Sequence, residues 1–335
     1  MTECSLCSLL NNGYRCIMEY PLLTFILSLL IVVLFIFNIY CGNIICYFPR
    51  NCGLGDGVLY GGVVTNFDYG PQSGPHTWQV SDTNQSPINI IEKDARRFAI
   101  RELLMWNHYD DMPSAVKMEN NGHTVVIRAA FEGNTPTICG ADLLVSYTFV
   151  ELCFRWSLWN NEGSEHMLNY RRFPMEIQAM HRTGPAGDNI SSYDLLMVAY
   201  FLDISSHNPY LEPIVQNLHR IRKAGSRIEI PPFPLVYLCY PFRTGFYSYG
   251  GSLTEPPCYQ GVEWFVYPEP LAISESQLNE FRQLLSADGR KRIVSNARPV
   301  QDVAMETRVV NLNQYNPMGA CAMTDSQQSD VAILE

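Results

Sequence analysis

Residues 143–181 read LLVSYTFVELCFRWSLWNNEGSEHMLNYRRFPMEIQAMH, and this stretch decides the fold. LLVSYTFVELCFRWSLW (143–159) is dense in aromatic and β-branched residues, the composition of a strand packed against a core. PMEIQAMH (174–181) is a second such run, and a turn-rich segment separates the two. On a strand, side chains two positions apart share a face. Cys153 and Arg155 therefore point one way on the first strand, and Glu176 and Gln178 share a face on the second.

Working outward, HTVVIRAAF (123–131) and LLMVAYFLDI (195–204) also read as strands. A helical period is clear in SQLNEFRQLLS (276–286), with Ser274-Glu275-Ser276 as its start signal. The pattern predicts one mainly β domain over 67–312, followed by a polar, disordered tail over 313–335. Upstream, no charged residue lies between Glu19 and Arg50. Pro21 to Tyr40 reads PLLTFILSLLIVVLFIFNIY, and a helix of about 20 such residues spans a bilayer core. The expected organisation is an N-terminal tail (1–19), a single transmembrane signal-anchor (20–48) and a Gly-rich linker (49–66) before the domain.

Composition limits the function classes. The chain has 335 residues, and 47% hydrophobic with 17% charged residues is the balance of a folded protein. A net charge of −10 argues against a nucleic-acid partner, which requires a basic face. No phosphate-loop or dinucleotide fingerprint occurs. Asn189-Ile-Ser191 is a glycosylation sequon, which favours an extracellular or lumenal domain. Asn84-Gln-Ser86 is a second sequon, disfavoured by Pro87. Cys4, Cys7, Cys16, Cys41, Cys46 and Cys52 lie in or beside the anchor and read as membrane-proximal thiols. The pairing of Cys139, Cys153, Cys239 and Cys258 stays open.

A catalytic zinc on strands takes an H-x-H pair, a third histidine on the neighbouring strand and an open position for water. The two strands opened above carry no histidine at such positions. His166 and His181 are the nearby candidates for a displaced metal site, and Cys153, with no histidine beside it, reads as an inert thiol.

GPHTWQVSDTNQSPINI (74–90), NNGH (120–123), ELCFRWSLWNNEGSEH (151–166), SLTEPP (252–257), VEW (262–264) and NARPVQ (296–301) together resemble the α-class carbonic anhydrases. The resemblance runs in order over nearly all of 67–312. It implies that family's fold, a large, mostly antiparallel central sheet of about ten strands with a few short helices. It implies that Cys153, Arg155 and Gln178 stand at the three zinc-histidine positions. Glu165 and Thr254 match the pair that orients zinc-bound hydroxide, and His123 matches the proton shuttle. Glu176 matches the carboxylate behind the third zinc ligand. Leu253, Val262 and Trp264 match the apolar pocket wall, and Tyr249 a position near the threonine. Cys258 matches one half of a disulfide whose other half, just before QSPINI, is missing here.

The departures set the expected function. The family reaction needs zinc to lower the pKa of bound water to about 7. Arginine does not deprotonate in proteins and is no ligand, and an amide oxygen is a weak one. Glu255, where the family usually has a second threonine, would repel a bicarbonate anion. The pattern is most similar to the acatalytic carbonic anhydrase-related proteins. The expectation is a membrane-anchored pseudoenzyme without zinc or other cofactor, acting through a protein partner. The alternative is residual hydration of carbon dioxide or ester hydrolysis. Arg155 is expected either to pair with Glu176 or Glu165, or to point to water. His123 reads as a solvated loop residue.

Overall fold

The computed structural model describes residues 67–78, 80, 84–184, 193–301 and 308–317. The expected tail over 1–19, anchor over 20–48, linker over 49–66 and sequon at Asn189 lie outside the described residues. So do residues 318–335 of the expected C-terminal tail. Among the described residues no helix is long and apolar enough to cross a membrane.

A 12-stranded sheet organises the domain. Its main path runs Arg227–Ile230, Ala115–Asn120, Val125–Ala130, Tyr147–Trp156, Met175–Arg182, Leu195–Ile204, Gln260–Ile273, Phe246–Ser252, Asn311–Tyr315 and Arg96–Ile100. Met105–Asn107 and Thr137–Cys139 pair beside that path. Asn89–Ile90 and Met167–Leu168 form a separate 2-stranded sheet. Most neighbours are antiparallel, as expected. Leu195–Ile204 runs parallel to Gln260–Ile273, and Asn311–Tyr315 parallel to Arg96–Ile100, so the sheet is mixed. The main path holds ten strands, in line with the about ten that the resemblance implies, and the two short strands Met105–Asn107 and Thr137–Cys139 bring the sheet to twelve.

Two boundaries move. The helix expected over 276–286 is Glu275–Phe281, capped by Ser274 and closed by a capping box with Gln277. It stops early because Leu285 bridges Arg292, which draws the following residues away from the helix axis. The tail expected from 313 begins later. Asn311–Tyr315 fills the gap between Phe246–Ser252 and Arg96–Ile100, so Asn313 is paired on both sides and residues 314 and 315 on one.

The sheet buries apolar residues on both faces. Leu196, Val198, Tyr200 and Leu202 join the larger cluster, while Leu195, Met197, Ala199 and Phe201 join the smaller one. An uninterrupted apolar run is what a strand covered on both faces needs. The Tyr147–Trp156 strand differs. Phe149, Leu152, Phe154 and Trp156 all enter the larger cluster, although 149 and 152 differ in parity. A register shift between Phe149 and Glu151 absorbs the extra residue, as a bulge does. Glu151, Cys153 and Arg155 are thereby left together on the opposite face. Across the ladder Cys153 pairs with Gln178 and Arg155 with Glu176, so the four residues of the opening stretch meet on one patch.

Candidate functional site

Arg155 is the centre of that patch, and only 3% of its side chain is exposed. Its Nε donates to Gln178 Oε1 at 3.1 Å and lies 3.4 Å from Glu165 Oε2. One terminal nitrogen donates to Glu255 Oε1 at 2.5 Å and to the Tyr69 hydroxyl at 3.1 Å. The other reaches Thr254 Oγ1 at 3.4 Å. Arg155 therefore does not point to water. Of its two expected carboxylate partners it takes Glu165 and not Glu176, and it adds Glu255.

The reason lies in the inner layer. Glu176 accepts the backbone N–H of Glu165 and of His166, each at 2.9 Å. It also accepts from His166 Nδ1 and from Gln178 Nε2, both at 2.8 Å. Its acceptor sites are filled from the side away from Arg155. Burial pushes the Glu176 pKa up, but the charge and hydrogen bonds of His166 outweigh it, and the net direction is downward. His166 Nε2 sits 2.7 Å from the Tyr249 hydroxyl, which bonds Ser86 in turn. Glu165 accepts from Gln178 Nε2 at 2.7 Å, from the Arg298 backbone at 2.9 Å and from the Thr254 side chain. Burial raises its pKa further than the Arg155 charge can lower it.

Glu255 behaves in the opposite way. Burial pushes its pKa up, and the adjacent Arg155 charge and hydrogen bond more than reverse this, leaving it lowered. The same two carboxylates raise the Arg155 pKa against the cost of its own burial. Glu255, expected as a carboxylate that would repel bicarbonate, is thus a counter-ion of Arg155 beside Glu165.

The remaining expected residues are placed as follows. Cys153 Sγ lies 3.8 Å from Gln178 Oε1, and burial pushes its thiol well up, so it is held protonated. His123 lies in a bend, as expected of a loop residue, but is half-buried. Its ring stacks on Phe67 with centroids 4.1 Å apart, and burial lowers its pKa. Leu253, Val262 and Trp264 pack into the smaller apolar cluster beside the patch, and Trp264 Nε1 donates to Ser252 O. His166 and His181 stand apart. His181 is locked between Tyr109 and Leu196 O, with its pKa lowered by burial to about 3. Among the described residues no group of three or more His, Cys, Asp or Glu is placed to hold a metal ion. Cys139, Cys153, Cys239 and Cys258 are free thiols. At the second sequon, the Ser86 hydroxyl is buried against Tyr249 and the Ser252 backbone. Sequence reasoning missed Tyr69. Its signal was weak, a single tyrosine in FDYG ahead of the quoted motifs.

A family model described as eukaryotic-type carbonic anhydrase matches residues 73–314. The chain belongs to the eukaryotic-type carbonic anhydrase family. Human carbonic anhydrase 7 is 30% identical over 246 residues, covering 70% of this chain and 92% of that protein. A putative carbonic anhydrase 5 of Caenorhabditis elegans is 31% identical over 243 residues, covering 70% and 77%. Mouse carbonic anhydrase 1 is 28% identical over 255 residues, covering 72% and 97%. The carbonic anhydrase match thus spans the sheet and every residue of the Arg155 patch except Tyr69, which lies just ahead of it.

Two outcomes follow from the charges. Arg155→Ala leaves Glu165 and Glu255 without their cation, and breaking a buried pair costs about 3–5 kcal/mol. Thermal unfolding should show a melting temperature lower by on the order of 10 °C. Unchanged melting would mean the pair contributes nothing. The second outcome concerns acid. The folded-state pKa of Glu255 lies below its ordinary value of 4.5, so the unfolded chain binds more protons as pH falls. Its contribution is complete above pH 4.5 and disappears as pH drops through the folded value. Denaturant unfolding between pH 7 and 3 should lose stability on acidification, with a shallower loss in Glu255→Gln.

Proposed function

We propose that the chain is a membrane-anchored carbonic anhydrase-related protein that does not hydrate carbon dioxide and acts by binding another protein. The observation that carries this reading is the buried Arg155 guanidinium in the patch that Cys153, Gln178 and Glu165 share. In the resemblance, Cys153, Arg155 and Gln178 stand at the zinc-histidine positions. The donor set does not fit zinc. The Arg155 cation would repel Zn²⁺. Cys153 could bind as a thiolate, but one such ligand of three cannot hold a catalytic zinc. The Gln178 oxygen already accepts from Arg155. No hydration step is therefore derived for this site. Glu165, Thr254 and His123 then serve the fold and not turnover. Glu165 and Thr254 join the chain around Arg298 to the loop after Phe246–Ser252, while His123 packs on Phe67.

The rival reading, residual carbonic anhydrase or esterase activity, draws on those same retained residues and on relatives that carry the carbonic anhydrase name. Metal analysis separates the two. Protein purified without chelator should contain far less than one zinc per chain and show no sulfonamide-sensitive hydration of carbon dioxide. Stoichiometric zinc with such activity would overturn the proposal. The triple change Cys153→His, Arg155→His and Gln178→His should gain zinc.

The anchor over 20–48 supports a single-pass membrane protein, and the Asn189 sequon supports a domain outside the cell or in the lumen. Glycosidase treatment should increase gel mobility in the wild-type chain and leave Asn189→Gln unaffected. An unshifted wild type would remove the support for that topology.

A further inference from the structure

The segment 67–78 lies against the Arg155 patch and is built from aromatic contacts. Tyr69 meets Phe67 and Trp78 edge-on at 6.0 and 5.5 Å, and Phe67 stacks on His123. Trp78 lies under the Arg298 guanidinium at 5.6 Å. The segment closes on itself through Asp68 N–H to Ser73 O. Gly74 is required there, because a Cβ would come within 2.1 Å of Gly70 O.

Rings packed in this way supply contact area in preferred edge-on and stacked geometries. The directed contact with the ion pair comes from one hydroxyl. Tyr69 accepts from Arg155 at 3.1 Å and donates to Glu255 at 3.3 Å, so both its lone pair and its proton are used by one ion pair. Its own pKa is raised well above the ordinary value, first by burial, so the hydroxyl keeps its proton. Cys153 shares this patch, with its Sγ 3.8 Å from the Gln178 Oε1 that accepts from Arg155.

We propose that the segment 67–78 is an internal strap over the patch, with Tyr69 as its latch and the Arg155–Glu255 pair as the catch. A ligand or partner group approaching Arg155 or Glu255 from that side must displace Tyr69, so the strap regulates access to the site. The proposal rests on the metal-free reading above, since the catch exists only with Arg155 in the centre.

Hydrogen exchange and thiol alkylation on the full chain test it, using Tyr69→Phe and Tyr69→Ala. Tyr69→Phe keeps the ring and removes only the latch. Backbone amides of 67–78 should exchange about tenfold faster than in the wild type, or faster still in Tyr69→Ala. Iodoacetamide should modify Cys153 several-fold faster, read by mass spectrometry of the Cys153 peptide. The fully buried Cys239 is the control and should not change. Unchanged exchange over 67–78 in both variants would overturn the strap. Equal acceleration at Cys153 and Cys239 would also overturn it, because that pattern is general unfolding. Zinc measured in the same samples reports separately on the metal-free reading. Zinc with unchanged exchange defeats both, and zinc with accelerated exchange defeats only that reading.

Discussion

A guanidinium with almost no access to water must be neutralised where it stands, and that requirement organises the centre of this domain. Arg155 sits on the polar face of a strand whose other face is fully apolar. It cannot leave the interior without pulling Leu152, Phe154 and Trp156 from the core. The neighbourhood meets its charge instead. Glu165 and Glu255 both pair with it, the first fully buried and also accepting from Gln178 and the Arg298 backbone, the second also accepting from Tyr69. Gln178, Thr254 and Tyr69 fill the remaining directions of the fork.

The second buried carboxylate shows why the partners divide as they do. Glu176 faces Arg155 across the ladder, yet its oxygens are taken by two backbone N–H groups, His166 and Gln178. A carboxylate with four donors has no geometry left for a guanidinium. Gln178 joins the two systems, because its oxygen serves Arg155 while its nitrogen serves Glu165 and Glu176. The patch is thus a continuous hydrogen-bonded network, and such networks specify one arrangement only when every member is satisfied. The family fold is kept around it, including the covered apolar residues Leu253, Val262 and Trp264.

Much of this was legible in the chain. Period-two spacing placed Cys153 with Arg155 and Glu176 with Gln178, because the pleat leaves no other choice. The long strands were marked by apolar runs, and the helix start by Ser274-Glu275-Ser276. Short strands such as Thr137–Cys139 were not, since three residues carry no readable period and owe their structure to the neighbours they pair with. The extent of the C-terminal strand was hidden for the same reason. NLNQY is polar, and it is ordered by ladders on both sides.

By itself the sequence determined the family, the β architecture and the chemistry of the donor set, since these depend on residue types and local periodicity. It left Arg155 either paired with a carboxylate or turned to water. Only the tertiary structure decided which one. Glu255 and Tyr69 are 100 and 86 positions from Arg155, and no local pattern ties them to it. Their meeting depends on a bulge that turns Arg155 to the right face, on Glu176 being already saturated, and on a segment folded back across the sheet. Side-chain proximity of that kind follows from packing, which acts between distant stretches of chain and leaves no period to read.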